Sequence, residues 1–578
     1  MIFAGKKQKV ESRKQKCPNG CSAAFCFLLS AFCFFLIGAA RAETVATNGM
    51  VASGHPLATQ AGLNALKSGG NAIDAAVAVG LTLGVVDGHN SGIGGGCFML
   101  IRRANGEFIA IDGREKAPAA ATRDMFIRDG KADTKLSQTG ALASGVPGEV
   151  AAFDYAIRKF GRKKFSDALL PAAKLAEEGF PINGIYASRL KASSNELASF
   201  ESSRAIFFHD GILPGNGDVL KQPDLAATYR AIAKRGSGWF YRGPFARSTE
   251  KWMKANGGIM TAADFAGYRI QLREPIRTKY RGNDIVSFPP PSSGGVHVAQ
   301  MLNILEPFDL KSLDEASRWH VIAEAMKFAF ADRAFWLGDP DFVKVPRGLV
   351  STGYAANLTA RINPQHATVV PGHNAPPHAE SDVFGDKHTT HFSVVDAEGN
   401  WVACTATVNT GFGSKVVVPG TGVLLNNQMD DFSTQPGVAN YFGLIGAEAN
   451  AVAPGKRPLS SMSPTLVLKD GKPIIALGAA GGPKIISAVL LELVGMLDLG
   501  QTPQQAVAAP RIHQQWSPDE LMFEKALPEA VQGALAARGH ELKEIPNGST
   551  SQIVARSADG QGFVGAADPR GGGTAEGW

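Results

Sequence analysis

The sequence predicts a mixed α+β fold in which antiparallel hairpins accompany a long helical region. Thr389 to Asp396 and Trp401 to Val408 are rich in β-branched and aromatic residues, and a three-residue loop ending in Gly399 joins them. Such a pair is typical of a hairpin with glycine in the left-handed position. Thr465 to Leu477 predicts a second hairpin, whereas Gly148 to about Phe335 is mainly helical by pattern.

The first 42 residues have the pattern of an export signal. Six basic residues between Lys6 and Lys16 precede an apolar run from Ala23 to Ala40, and Ala40-Arg41-Ala42 fits a cleavage site that would leave Glu43 as the new N-terminus. An uncleaved signal anchor is the alternative, because the run is near the lower length for a membrane span. The Ala-x-Ala ending favours cleavage.

Loss of this leader would change the charge of the protein. The full chain has 58 basic and 52 acidic residues, a net charge of +6. The leader holds seven of the basic residues and one acidic residue, so the remainder has 51 of each and is formally neutral. The composition therefore gives no indication of nucleic-acid binding.

Only Cys97 and Cys404 of the six cysteines lie outside the leader. Both fall in apolar strand patterns, and neither has the spacing of a metal ligand. Two buried thiols are the expected outcome, although an exported protein could join them.

The N-terminal elements follow from local signals. Leu57 to Ser68 reads as a helix, and Asn71 can cap a second, very apolar helix from Ala72 to Val86. The glycine-rich run Gly88 to Gly96 follows a helix and opens a strand, which is the reverse of a dinucleotide-binding loop. We therefore expect no nucleotide there.

Arg114 comes just after a hairpin formed by Cys97 to Arg102 and Glu107 to Asp112. Functional residues often follow a rigid strand in this way, although a lone arginine is more commonly a surface charge. Asn363 to Lys387 is polar, has no periodicity and reads as an exposed segment that tolerates a chain break.

That segment leads to Thr389. A cut between His388 and Thr389 would give residues 43–388 and 389–578, and would make Thr389 both nucleophile and base, since a free α-amine can accept the proton of its own hydroxyl. If Asp396 pairs with Asn400, antiparallel counting puts Thr407 opposite Thr389, where its hydroxyl can orient the first. A plain hairpin with threonines is the alternative.

Gly481-Gly482-Pro483 opens a helix from Lys484 to about Leu497. Glycines before a proline at the first helical position leave N–H groups free at a positive helix end, as an oxyanion hole requires. An ordinary strand-to-helix turn has the same pattern.

Taken together, these motifs closely resemble the gamma-glutamyltransferase family of N-terminal-nucleophile hydrolases over essentially the whole chain after the leader. The matching stretches are Gly92 to Gly96, Asp112 to Glu115, Thr389-Thr390-His391, Asn426 to Phe432, Pro458 to Pro464 and Ala567 to Arg570. The resemblance implies a four-layer αββα sandwich, autocleavage into a large and a small subunit that share one intertwined domain, and Thr389 as nucleophile.

The resemblance also implies residue roles. Arg114 with Ser460 and Ser461 would hold the α-carboxylate of a γ-glutamyl donor such as glutathione, because arginine offers a bidentate fork. Asp431 would face the α-ammonium, with Asn409 and Gln428 as neutral acceptors. The remaining catalytic positions are Thr407 beside the nucleophile and Gly481 and Gly482 as oxyanion donors.

The expected acceptors of the acyl group are amino acids, dipeptides or water, and no metal or organic cofactor is needed. Phe442 falls where some relatives have a gating tyrosine. A phenylalanine can shield the acyl-enzyme but cannot donate the tyrosine's hydrogen bond, which bears on the balance of transfer and hydrolysis. The leader predicts a periplasmic or secreted protein without a membrane span once it is removed.

Two other functions compete with this one. A β-lactam acylase of the same fold would remove a glutaryl group, which has no α-ammonium, so Asp431 argues against it. An uncleaved, non-catalytic binding protein could use the same pocket. The number of polypeptides in the purified protein separates this last possibility from an enzyme.

Overall fold

The computed structural model describes residues 45–378, 382–384 and 392–578. The predicted leader therefore lies outside the described residues, as do His388, Thr389 and the bond between them. Within the described ranges, no helix is both long and apolar enough to cross a membrane.

Fifteen of the eighteen α-helices in the described residues lie before residue 360. Their bounds are α1 Pro56–Lys67, α2 Ala72–Val86, α3 Thr134–Gln138, α4 Glu149–Phe160, α5 Phe165–Glu178, α6 Gly184–Ala192, α7 Ser194–Ala198, α8 Glu201–Phe207, α9 Pro223–Arg235, α10 Gly238–Tyr241, α11 Pro244–Ala255, α12 Ala262–Gly267, α13 Gly294–Leu305, α14 Glu315–Trp336, α15 Thr352–Thr359, α16 Lys484–Leu497, α17 Pro503–Ala508 and α18 Glu529–Ala537.

The strands come from both ends of the chain. Their bounds are β1 Gly49–Ser53, β2 Gly96–Arg102, β3 Phe108–Gly113, β4 Ile127–Arg128, β5 Lys131–Ala132, β6 Phe180–Pro181, β7 Val219–Leu220, β8 Gln271–Arg273, β9 Ile276–Tyr280, β10 Asn283–Ser287, β11 Ser393–Asp396, β12 Trp401–Thr407, β13 Thr465–Lys469, β14 Lys472–Ala480, β15 Ile512–Gln514, β16 Leu521–Glu524, β17 Leu542–Ile545, β18 Thr550–Arg556, β19 Phe563–Ala567 and β20 Thr574–Gly577.

Two large antiparallel sheets dominate the structure. The first has the order β20-β1-β11-β12-β2-β3-β8, and the second has the order β19-β18-β14-β13-β10-β9. Each sheet mixes strands from before and after residue 388. In the first sheet, β11 lies between β1 and β12, so the strand that begins just after Thr389 has hydrogen-bonded neighbours on both sides.

The side chains of the two sheets separate into layers. Val395 of β11 and Leu466 of β13 belong to a buried cluster shared by the two sheets. Their neighbours point the other way, because successive side chains of a strand alternate between faces. Val394 packs in a cluster with helices such as α2, and Val467 packs in another with α13 and α14. This packing agrees with helices outside two stacked sheets.

Several predicted elements are confirmed. The helix α2 has both predicted bounds, and the Asn71 side chain accepts hydrogen bonds from the N–H groups of Ile73 and Asp74. The helix α16 also has its predicted bounds. Within the region expected to be mainly helical, β8, β9 and β10 are additional strands that complete the edges of the two sheets.

The register of the central hairpin is confirmed over its described part. Ser393 lies opposite Ala403 and Val395 lies opposite Trp401, and the Asp396 N–H donates to the Asn400 carbonyl at 3.2 Å. Gly399 has a φ of +95°, as the three-residue loop requires. Continued by the same count, this register reaches the predicted pairing of Thr407 with Thr389, whose second member lies outside the described residues.

Cys97 and Cys404 are free, buried thiols. Burial raises the pKa of each thiol well above its ordinary value. The expectation of two buried thiols is therefore confirmed.

Candidate active site

Arg114 is held rigidly at the end of β3. Its backbone N–H donates to Asp112 Oδ1 at 2.6 Å, and the hydroxyl of Tyr268 donates to its carbonyl at 2.7 Å. The whole residue is buried, with a relative exposure of 0%. Sequence patterns alone favoured a surface charge at this position, and burial of an arginine requires specific partners.

The Arg114 guanidinium finds those partners in the C-terminal part of the chain. Nε donates to the Pro458 carbonyl at 3.1 Å, and Nη2 donates to the Leu459 carbonyl at 3.3 Å. Nη2 also lies 2.6 Å from Asp431 Oδ2. The structure thus brings together the two residues expected to bind the carboxylate and the ammonium of an amino-acid head group.

Asp431 is mostly buried, with 12% of its side-chain surface exposed. Gln428 Nε2 donates to the same carboxylate oxygen at 3.1 Å, whereas Gln428 Oε1 is buried and has no hydrogen-bond partner among the described residues. Burial raises the pKa of Asp431, and the guanidinium groups of Arg114 and Arg333 oppose that rise. Gln428 Oε1 is therefore an acceptor that a ligand could fill, next to a carboxylate that already has two donors.

Arg333 is a second buried guanidinium at this site, and sequence reasoning missed it. It lies on α14, where Nε donates to Ser293 Oγ at 2.9 Å and Nη2 donates to Ser461 Oγ at 3.1 Å. Burial lowers its pKa to about 10. Arg333, Asp431 and Leu459 line one cavity. The sequence did contain one sign of this residue's role, because Arg333 lies in a helix whose apolar pattern predicts burial.

Ser460 and Ser461 lie in an irregular stretch against the turn that begins α13. The Ser460 N–H donates to the Pro291 carbonyl at 2.7 Å, and the Ser293 hydroxyl donates to the Ser460 carbonyl at 2.7 Å. The Ser460 hydroxyl accepts the Met462 N–H at 3.2 Å. These bonds fix both serines in position. Ser461 contacts Arg333 directly, and Ser460 follows Leu459, whose carbonyl accepts from Arg114.

Thr407 is the last residue of β12. Its hydroxyl accepts the Asn409 N–H at 2.8 Å, and the Asn409 side chain donates to the Asn427 carbonyl at 3.0 Å. Asn409 adopts a left-handed φ of +81°. A Cβ on Gly95 would lie 2.0 Å from the Thr407 carbonyl oxygen, so only glycine permits this approach.

Gly481 and Gly482 connect β14 to α16 with φ values of +147° and +62°. Neither N–H has an acceptor among the residues that the structure describes. Two N–H donors next to a helix N-terminus are compatible with the predicted oxyanion role of these glycines. The Phe442 ring covers Gly482, since a Cβ there would lie 2.6 Å from Phe442 Cδ1.

Phe442 belongs to a covering loop, residues Asn440 to Leu444, which is tied down at two points. The Tyr441 N–H donates to Asp430 Oδ2 at 3.0 Å, and Gln515 Nε2 donates to the Gly443 carbonyl at 3.1 Å. Asn440 and Leu444 line the cavity that also contains Arg333 and Asp431. One loop therefore touches both the charged pocket and Gly482, one of the two glycines predicted to stabilise an oxyanion.

Asp430 links this loop to the N-terminal part of the chain. Its Oδ1 accepts the Ser137 hydroxyl at 2.7 Å. Burial raises the pKa of Asp430 to about 6. A carboxyl group that titrates near this pH can change the strength with which the loop is held.

Comparison with known proteins agrees with this geometry. The sequence profile of the family described as Gamma-glutamyltranspeptidase matches residues 58–578. A glutathione hydrolase proenzyme of Escherichia coli (strain K12) is 46% identical over 571 residues, which cover 95% of this chain and 97% of that protein.

Two solved structures extend the comparison. A cephalosporin acylase from Bacillus halodurans superposes with a TM-score of 0.84 at 30% identity, covering 93% of this chain and 97% of its own. A gamma-glutamyltranspeptidase from Helicobacter pylori has a TM-score of 0.54 at 44% identity, covering 57% of this chain and 94% of that chain.

Proposed function

As the chain belongs to the gamma-glutamyltranspeptidase family, we propose that it is a gamma-glutamyltransferase and glutathione hydrolase. It cleaves the γ-glutamyl amide of glutathione and related compounds and passes the acyl group to an amino acid, a dipeptide or water. The observation that carries this proposal is the buried pair of Arg114 and Asp431, 2.6 Å apart.

The pair is complementary to the head of a γ-glutamyl donor. Such a head carries an α-carboxylate and an α-ammonium on one carbon. Arg114 pairs with the carboxylate, with Ser460 and Ser461 as further donors, and Asp431 pairs with the ammonium. In the free protein Arg114 and Asp431 neutralise each other. In the complex the donor carboxylate faces Arg114 and the donor ammonium faces Asp431, so no buried ion is left without a counter-charge.

The acyl transfer uses Thr389, Gly481 and Gly482. The Thr389 hydroxyl attacks the γ-carbonyl and gives its proton to its own α-amine, while the two glycine N–H groups stabilise the oxyanion. Collapse of the tetrahedral intermediate expels the leaving amine, which takes that proton. Water or an acceptor amine then attacks the γ-glutamyl-Thr389 ester and regenerates the hydroxyl.

The same hydroxyl carries out maturation. Before cleavage no α-amine exists at Thr389, so its hydroxyl attacks the His388 carbonyl and forms an ester that water opens. The products are residues 43–388 and 389–578, which remain together as a heterodimer. The basic and apolar pattern before Glu43 supports export to the periplasm.

The acylase alternative is tested by the donor head itself. A glutaryl group keeps a carboxylate but lacks the ammonium, so it would leave Asp431 without its cation. Hydrolysis of γ-glutamyl p-nitroanilide should therefore exceed that of glutaryl p-nitroanilide, and Asp431→Asn should narrow the difference. Equal or faster hydrolysis of the glutaryl compound by the wild type would favour the acylase.

N-terminal sequencing and intact mass test maturation separately from activity. We expect two polypeptides, the smaller beginning at Thr389, and the larger beginning at Glu43 when the protein is isolated from the periplasm. Thr389→Ala should remain one chain. A Thr389→Ala protein cut at the same bond would exclude self-processing.

A further inference from the structure

A buried cluster outside the candidate active site combines two histidines and a glutamate. His320 and Glu324 are one helical turn apart on α14, and His540 follows α18. The relative exposures of His320, Glu324 and His540 are 0%, 0% and 6%. One ligand atom from each lies within 4.8 Å of the others. The proposed mechanism uses none of them.

The hydrogen bonds of His320 fix its tautomer. Nε2 lies 2.8 Å from the Asn363 carbonyl oxygen, which can only accept, so Nε2 carries the proton. Nδ1 therefore presents a lone pair toward His540 Nε2, 2.8 Å away, and accepts the proton of that nitrogen. When a metal binds, this proton would move to His540 Nδ1, which has no hydrogen-bond partner among the described residues. A histidine that ligates a metal almost always donates its other ring N–H to a carbonyl or carboxylate in this way.

Glu324, like His320, has one polar atom held by a backbone group and another that faces the cluster. Its Oε2 accepts the Thr368 N–H at 2.8 Å, whereas Oε1 is buried without a hydrogen-bond partner among the described residues. The Lys327 ammonium lies 3.6 Å from Oε1. It is itself bound by Asp519 at 2.9 Å, so Lys327 is compensated without Glu324.

We propose that His320, Glu324 and His540 bind one divalent transition-metal ion, with Zn²⁺ as the ion that the ligand set fits best. Two imidazoles and one carboxylate form a set that zinc uses with a water in the fourth position. Ligand atoms of a tetrahedral zinc lie about 3.4 Å apart at zinc–ligand distances near 2.1 Å. The two imidazole nitrogens, now 2.8 Å apart, would separate slightly to reach this spacing, and the other ligand pairs, now within 4.8 Å, would adjust to it.

The ion would join two distant parts of the chain. His320 and His540 are 220 residues apart and lie on opposite sides of the bond between His388 and Thr389. The ion would therefore act as a clamp between the α14 region and the C-terminal region.

The test uses the full-length protein without a histidine tag, since a tag would bind the same ions. After dialysis against a chelator, the protein is titrated with Zn²⁺ in competition with a chromophoric chelator, and separately with Co²⁺ while visible absorption is recorded. We expect about one ion per protein, the d–d bands of a tetrahedral Co²⁺ site, and a thermal midpoint that rises with Zn²⁺.

Two variants and one control locate the site. Glu324→Gln keeps the acceptor for Thr368, and His540→Gln removes one imidazole. Each should weaken Zn²⁺ binding by at least about 100-fold, since loss of an outer-shell partner alone costs 10–100-fold. The exposed His366→Gln should bind as the wild type does.

The contrary results are equally definite. A wild-type protein without tetrahedral Co²⁺ bands would leave the cluster as a hydrogen-bonded histidine pair. Unchanged Zn²⁺ affinity in Glu324→Gln and His540→Gln would place any bound ion elsewhere. The Co²⁺ spectrum of the wild type decides the question even if a variant does not fold.

Discussion

The guanidinium of Arg114 and the carboxylate of Asp431 lie 2.6 Å apart, although 317 residues separate them in the chain. Both charges are removed from most of the solvent, and further hydrogen bonds to Pro458, Leu459 and Gln428 fix their geometry. A buried pair of this kind contributes little to stability by itself. Its value lies in offering one positive and one negative group at a fixed spacing.

Arg114→Lys tests this spacing. A lysine keeps the charge but cannot donate to Pro458, Leu459 and Asp431 in the same planar geometry. Each charge-assisted hydrogen bond is worth about 1.5–3 kcal/mol, so kcat/KM for γ-glutamyl p-nitroanilide should fall at least tenfold while subunit formation continues. Arg162→Lys, which changes an exposed pair with Glu398, is the matched control. An unchanged kcat/KM in processed Arg114→Lys would place carboxylate recognition elsewhere.

Thr407→Val tests the neighbour of the nucleophile. Valine is nearly isosteric but lacks the hydroxyl that accepts the Asn409 N–H, so the Thr389 hydroxyl should be less well aligned. Maturation and turnover should slow together, by about 10²-fold or less. Gels follow the precursor, and release of p-nitroaniline follows turnover.

Thr405→Val is the control for that substitution. Thr405 lies two residues earlier on β12, and its buried hydroxyl has no hydrogen-bond partner among the described residues. Its replacement should leave both rates unchanged. Wild-type rates in Thr407→Val would mean that this hydroxyl is only structural.

Phe442→Ala tests the covering loop. Removal of the ring uncovers Gly482, so water should reach the acyl-enzyme more easily and the ratio of hydrolysis to transfer should rise. Aromatic packing is worth about 0.5–1.5 kcal/mol, which limits the change to roughly tenfold. The measurement compares glutamate with transfer product at a fixed acceptor concentration. Tyr441→Ala, at a neighbour that is 58% exposed, should have a smaller effect. An unaltered ratio in Phe442→Ala would show that the loop does not influence the balance between hydrolysis and transfer.

Asp430→Asn tests the pH dependence of stability. The pKa of Asp430 is raised from 3.8 to about 6 in the folded protein, so the folded state holds this proton to a higher pH than the unfolded state. Stability from this group is therefore present below pH 4 and is lost as pH rises to about 6, by roughly 3 kcal/mol at most. The thermal midpoint of Asp430→Asn should fall less than that of the wild type over this range. If the thermal midpoints of the wild type and Asp430→Asn changed in parallel with pH, Asp430 would not titrate in this range.

Local signals were sufficient for elements whose causes are local. Asn71 caps α2, and Gly399 supplies the left-handed residue of the hairpin loop, so both elements could be predicted with their register or bounds. The burial of Arg114 could not be predicted in this way, because its partners Pro458, Leu459 and Asp431 lie more than 300 residues later in the chain. Periodicity carries no information about such pairings.

The same reason explains the missed arginine. Arg333 contacts Ser293 and Ser461, which lie 40 and 128 residues away in the chain. The family resemblance directed attention to Asp431 and the serines, and the apolar pattern of α14 indicated only packing. A charged residue within a helix that is buried on nearly all sides was a usable signal of a polar site.

The interleaving of strands has a consequence for the mature protein. β11 is hydrogen-bonded to β1 on one side and to β12 on the other, and the second sheet joins β13 to β10. Once the chain is cut before Thr389, neither polypeptide can leave without exposing the unpaired edges of both sheets. Dilution, which separates ordinary heterodimers by mass action, should therefore leave this assembly intact. Exchange of polypeptides between molecules has to pass through global unfolding.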